Sequence, residues 1–107
     1  MKIAIGKLVK NFTGSMNFIA LTDKTKFTST LPIHARHTIG YSKQFKKGMP
    51  VIFIVSKDIH GVAQATDLHS LSVPVYKKLS ATKDYNDIAD YWDIVICQEA
   101  RGKNSFD

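Results

Sequence analysis

The sequence predicts an all-β body of five short strands, a small barrel or sandwich, followed by a C-terminal α-helix. Three observations carry this. Short runs of β-forming residues alternate with turn signals through the first seventy or so positions. The strongest run, Val51-Ile52-Phe53-Ile54-Val55, is introduced by Gly48 and Pro50. Past Val75 the apolar spacing changes from near two to three and four.

Each element follows in order. Lys2–Phe12 sets Ile3, Ile5 and Val9 among polar neighbours with near period-two alternation. Thr13-Gly14-Ser15 turns the chain into Met16–Leu21, and Thr22–Thr25 forms the next polar turn. Lys26–Leu31 reads as the third strand, ended by Pro32. A polar segment from Ile33 to Lys47 precedes the Val51–Val55 strand, Ser56–Gly61 turns, and Val62–Leu68 is the fifth strand. In the tail, Tyr85, Ile88, Tyr91, Trp92 and Val95 recur at helical steps, with Asp84, Asp87, Asp90 and Asp93 between them. A helix over about 82–100 is the stronger reading, capped by Ser80 or Thr82 and stopped near Gly102; Trp92–Cys97 also fits a sixth strand. The division expected is a barrel unit at 1–71 and an extension at 72–107.

At 107 residues, 44% hydrophobic and 22% charged, the chain has the composition of one ordinary globular domain. No apolar run nears the roughly 20 residues of a membrane helix, and Lys7 and Lys10 interrupt what would be the apolar core of a secretory leader. A single cysteine, Cys97, offers neither an internal disulfide nor metal-ligand spacing, so a cytoplasmic setting is expected. Charge is divided unevenly. Residues 1–79 hold twelve Lys and Arg against three Asp, whereas 80–107 hold three against six acidic residues. A basic body suits a polyanion, since neutralising phosphates releases counterions.

Several stretches together carry a family resemblance. They are Gly6-x-x-Val9-Lys10-x-Phe12, then Phe18-Ile19, then Phe27 through Ile33, then Phe45-x-x-Gly48-x-x-Val51-x-Phe53, and finally Gly61 with Ala63-Gln64-Ala65 before Leu68. In this order and spacing the chain, from Met1 to about Leu71, resembles the cold-shock domain, an oligonucleotide-binding (OB) fold. The resemblance implies a five-stranded barrel that binds single-stranded RNA or DNA on aromatic residues of its first three strands. It places Lys10 and Phe12 on the first-strand platform, Phe18 on the second and Phe27 on the third. Alternation sets Phe12 opposite Ile3, Ile5 and Val9, which predicts an exposed ring. The chain also departs from the family pattern. Asn11 stands where the family usually has Trp, Met16 replaces an aromatic of the second strand, and Ser29 and Thr30 replace the His and Phe of the third.

The candidate nucleic-acid residues are therefore Lys10, Phe12, Phe18, Lys26, Phe27 and His34. Lys7, Lys24, Lys43, Lys46 and Lys47 would track phosphates or form a solvated rim. His34 and His37 lie three residues apart without a cysteine or carboxylate beside them, too little for a zinc site. No phosphate loop, nucleophile elbow or paired carboxylates mark the barrel half, so neither catalysis nor a cofactor is expected. The tail's aromatic stripe would pack on the barrel, or meet a protein partner or a second copy through Tyr91 and Trp92. Its acidic stripe would alternatively lie over the basic face and compete with nucleic acid. Two function classes follow: a non-catalytic single-stranded nucleic-acid binder, and a protein-binding or inhibitory module built on a degenerate platform.

Overall fold

The computed structural model describes residues 2–12, 14–22, 30–39, 44–82 and 85–104, with 98–104 as backbone only. Five strands, β1 (Lys2–Leu8), β2 (Met16–Leu21), β3 (Thr30–His34), β4 (Pro50–Lys57) and β5 (Ala63–Ser70), are followed by helices α1 (Val73–Thr82) and α2 (Tyr85–Asn104). The strands close into a barrel in the order β1-β2-β3-β5-β4, compatible with an OB fold. β1 pairs antiparallel with both β2 and β4, and β3 meets β5 in parallel at Ile33 and Ala65. No helix among the described residues is long and apolar enough to cross a membrane.

Strands that bury both faces explain the apolar run in β4. Val51 and Phe53 fill the barrel with Leu8, Phe12, Ile19, Leu21, Leu31, Ile33, Phe45, Ala65 and Leu68. Ile52, between them, points outward into a second cluster with Ile3, Ile5, Leu71, Leu79 and Trp92. The helices thus cover the outer surfaces of β1 and β4. A strand sandwiched in this way reads as continuously hydrophobic.

Two irregularities let the barrel close. Gly6 lies opposite Leu21, and a Cβ there would meet the Ala20 carbonyl oxygen and Ile19 Cγ2. Only a glycine permits β1 and β2 to approach so closely. In the β4–β5 ladder Ile52 pairs with His69 and Ile54 with Thr66, a register shift that inserts one extra residue into β5. Asp67 has φ 54°, a left-handed conformation that Asp tolerates better than most residues. The bulge resets the alternation, so Ala63, Ala65 and then Leu68 all pack toward the interior.

Several expectations about elements are corrected. Pro32 does not end the third strand; it sits within β3, paired with Phe18. β3's β5 side pairs only at Ile33, so the strand gives up little by holding a residue without an N–H. The extension forms two helices, not one. α1 begins at Val73, where the Ser72 hydroxyl accepts from Val75 N–H at 3.4 Å as an N-cap. Pro74 falls in the first turn, where its missing N–H costs no intrahelical bond. Ser80 and Thr82 do not cap the long helix. Their hydroxyls bond back to the Tyr76 and Leu79 carbonyls within α1. The Trp92–Cys97 stretch is helical throughout.

Candidate nucleic-acid interface

With β1 and β4 covered by helices, the outer face of β2 and β3 remains open. Strand alternation sends Asn17, Ile19 and Leu21 inward and Met16, Phe18 and Ala20 outward. Across the ladder Met16 faces His34, Phe18 faces Pro32 and Ala20 faces Thr30. Val9 extends the face on the β1 side, its N–H donating to the Phe18 carbonyl at 3.0 Å. Val9, Met16 and Phe18 are each more than two-fifths exposed. Phe18 lies between Met16 and Ala20 on the outward face of β2.

Cations surround this patch. Lys7 is opposite Ala20, and Lys10 follows Val9 directly; both are exposed. The Lys10 backbone is pinned by Asn17, whose Nδ2 donates to the Lys10 carbonyl at 2.6 Å while its Oδ1 accepts from Phe18 N–H at 2.7 Å. Beyond Lys10, Asn11 Oδ1 accepts from Lys47 N–H at 2.7 Å, which ties the exposed Lys46 and Lys47 to the same end of the barrel. Gly48, at φ 80°, completes the turn that returns the chain to β4.

At the end of β3, His34 Nδ1 accepts from Arg36 N–H at 3.1 Å and caps a single 3-10 turn, Ala35–His37. Arg36 Nε donates to His37 Nε2 at 3.3 Å, and the two imidazoles lie edge to face with centroids 6.5 Å apart. The guanidinium and both rings stay within one local group beside Met16. No cluster of three metal-ligating side chains occurs among the described residues.

Of the residues expected to bind nucleic acid, the structure brings Lys10, Phe18 and His34 to this face. Lys26 and Phe27, with Lys24 and Lys43, lie outside the described residues. Phe12 is corrected: it is buried, 5% exposed, with its ring edge-on to Phe45 at 6.4 Å. The alternation argument failed on the sense of inside and outside. Ile3 and Ile5 are buried beneath the helices, so the barrel interior takes the opposite parity, that of Ala4, Gly6, Leu8 and Phe12.

The tail residues expected at a protein interface are also relocated. Trp92 is 4% exposed and belongs to the cluster with Ile3, Ile5 and Leu79, and Tyr91 is half-buried against it. Tyr85 hydroxyl accepts from Ile3 N–H at 3.3 Å. The stripe docks on the chain's own barrel. Asp87, Asp90 and Asp93 are exposed, so these three carboxylates face solvent and do not lie on the basic face; Asp84 lies outside the described residues.

Sequence reasoning passed over Asn17 and Tyr76. Asn17 is wholly buried in a strand whose other residues are all apolar, and its isolation among Met16, Phe18 and Ile19 is the available signal. Tyr76 hydroxyl hydrogen-bonds Thr22 Oγ at 2.7 Å across the fold, a pairing without any local signature.

Comparison with known protein families and with curated proteins finds no match to this chain.

Proposed function

We propose that this chain is a non-catalytic single-stranded nucleic-acid-binding protein of cold-shock type, with an OB barrel as its scaffold, acting in the cytoplasm. One observation carries the reading: Phe18 is exposed on the β2–β3 face that the helices leave open, with Lys7 and Lys10 exposed on and just beyond the adjoining β1. A base stacking on an exposed ring and phosphates met by surrounding cations are the two components of sequence-tolerant single-strand binding. The strand order and the basic first 79 residues agree with it.

A protein-binding or inhibitory module is the second reading. Its specific support is that Val9 and Met16 flank Phe18 where a strong platform would carry further rings. The two readings separate in one measurement. Fluorescence anisotropy with labelled single-stranded RNA and DNA, at low and near-physiological salt, should give affinity that weakens with salt and with Phe18→Ala. Absence of binding at low salt would transfer the face to a protein partner.

A further inference from the structure

Resting on that reading, we propose that Tyr76 of α1 is a second base-stacking residue, held in reserve under Lys7 in the free protein. The ring is half-buried at the border of the open face, with its hydroxyl fixed by Thr22 Oγ at 2.7 Å. Lys7 Nζ lies over it, 5.2 Å from the centroid. Lys7 is on the outer surface of β1, directly opposite Ala20, and Ala20 shares its face with Phe18. Phe18, Ala20, Lys7 and Tyr76 therefore form one strip running from the open sheet face onto the extension.

The order of groups along that strip is what a single strand needs. Phe18 and Lys7 are separated by two residues along β2 and one strand across, about 7 Å and about 5 Å. Ala20 between them is small and raises no barrier. The contact of Lys7 with the ring is a surface cation–π interaction, weak because water competes for the ammonium. A phosphate arriving at Lys7 offers a full negative charge in place of a ring quadrupole, so the ammonium moves to it and exposes the tyrosine face. A base then takes the position that Lys7 leaves. The cation changes partner without being stranded, and the Thr22 bond keeps the ring in place throughout. The extension thus supplies one aromatic to a platform that has Asn11 and Met16 where its resemblance would put rings.

Photo-cross-linking and binding test this together. The intact chain is irradiated with oligonucleotides carrying 5-iodouridine, and adducts are mapped. Affinities for short and longer oligothymidylates are then measured for Phe18→Ala, Tyr76→Leu and Tyr76→Phe, with thermal unfolding as the control for folding. Expected are adducts at both Phe18 and Tyr76, and a loss on the order of tenfold for the longer oligomer in Tyr76→Leu. Tyr76→Phe, which keeps the ring but loses the Thr22 bond, should bind more tightly than Tyr76→Leu. If Phe18→Ala weakens binding while Tyr76→Leu does not and Tyr76 yields no adduct, the inference is overturned and the proposed function stands. If the intact chain binds no oligonucleotide at low salt, both fall. Should Tyr76→Leu fail to fold, the adduct map of the intact chain decides alone.

Discussion

Asn17 Nδ2 donates to the Lys10 carbonyl oxygen at 2.6 Å, and by this bond a wholly buried amide holds the chain beyond β1 against β2. The same amide accepts from Phe18 N–H, so one side chain sets the spacing between a cation and the exposed ring of the candidate site. Asn17→Ala removes both bonds and leaves the Lys10 carbonyl without this partner. Buried groups left unpaired cost about 1–3 kcal/mol each. Urea unfolding should therefore show a loss of about 2–4 kcal/mol. An unchanged midpoint would mean that the amide is dispensable. Asn17→Asp should be no milder, because a carboxylate cannot donate to the carbonyl.

Gly6→Ala is expected to destabilise the barrel although it adds only a methyl group. That methyl would meet the Ala20 carbonyl oxygen and, at 2.8 Å, Ile19 Cγ2. The first is backbone of the neighbouring strand and cannot rotate away. Relief requires β1 and β2 to part, at a cost of about 2–3 kcal/mol by the usual penalty for overpacking. Gly14, around which a Cβ meets nothing within 4 Å, is the control. Equal denaturation midpoints for Gly6→Ala and Gly14→Ala would contradict the close approach.

The sequence made the strands legible because β-formers and turn residues alternate along it, and β4 was the clearest for the reason that it is buried on both faces. That same property hid the orientation of β1. Of Ile3, Ile5 and Val9, which share one parity, the first two are buried and Val9 is exposed, and nothing local distinguishes burial inside a barrel from burial beneath a helix that arrives some seventy residues later. The error propagated to Phe12, placed by parity relative to them. Phe18 is exposed and Ile19 and Leu21 are buried, the alternation expected of a strand with one face on the core. Pro32 reads locally as the end of a strand, yet it pairs within β3, where the ladder to β5 is short. Tyr76 was beyond reach, since its partners Lys7 and Thr22 lie on other elements.

Trp92 is the chain's single tryptophan and reports directly on helix docking. Its ring is buried beside Ile3, Ile5 and Leu79, so emission from the native protein should be blue-shifted and resistant to aqueous quenchers. Trp92→Ala should cost about 3–5 kcal/mol, the range for truncating large buried aromatics. Ile94→Ala, on the exposed surface of the same helix, should change stability by less than about 0.5 kcal/mol. Similar losses for the two would indicate that α2 docks through another face.

Asp58 organises the β4–β5 turn, with Oδ1 accepting from Val62 N–H at 2.9 Å and His60 N–H at 2.8 Å. The Val62 amide is the largest influence and holds the carboxyl below its ordinary value; desolvation opposes it, and the His60 amide and the His60 charge lower it further. A carboxyl lowered in the folded state contributes stability above its unfolded pKa, about 3.9, and that contribution disappears as pH falls through the folded value. The carboxyl-linked step in the Val62 amide resonance should therefore have its midpoint below about pH 4. Midpoints above that pH would sink the assignment. In Asp58→Asn the acid-dependent shift should vanish.

The basic end of the barrel makes a prediction about salt that separates phosphate contacts from a solvated rim. Lys10 is positioned by the Asn17 bond to its carbonyl, and Lys47 by the Asn11 bond to its N–H, so their backbones are fixed before any ligand arrives. Each phosphate neutralised on a single strand contributes about −0.7 to the slope of log affinity against log salt. If Lys10, Lys46 and Lys47 each meet a phosphate, changing any one to Gln should make that slope shallower by about 0.7 without altering base preference. Phe18→Ala should do the reverse, lowering affinity at every salt concentration with the slope unchanged, because stacking releases no counterions. A lysine variant with the parent's slope marks that residue as rim. If all three keep it, the cations that neutralise phosphate must be sought elsewhere, first at Lys7, opposite Ala20 on the face of Phe18.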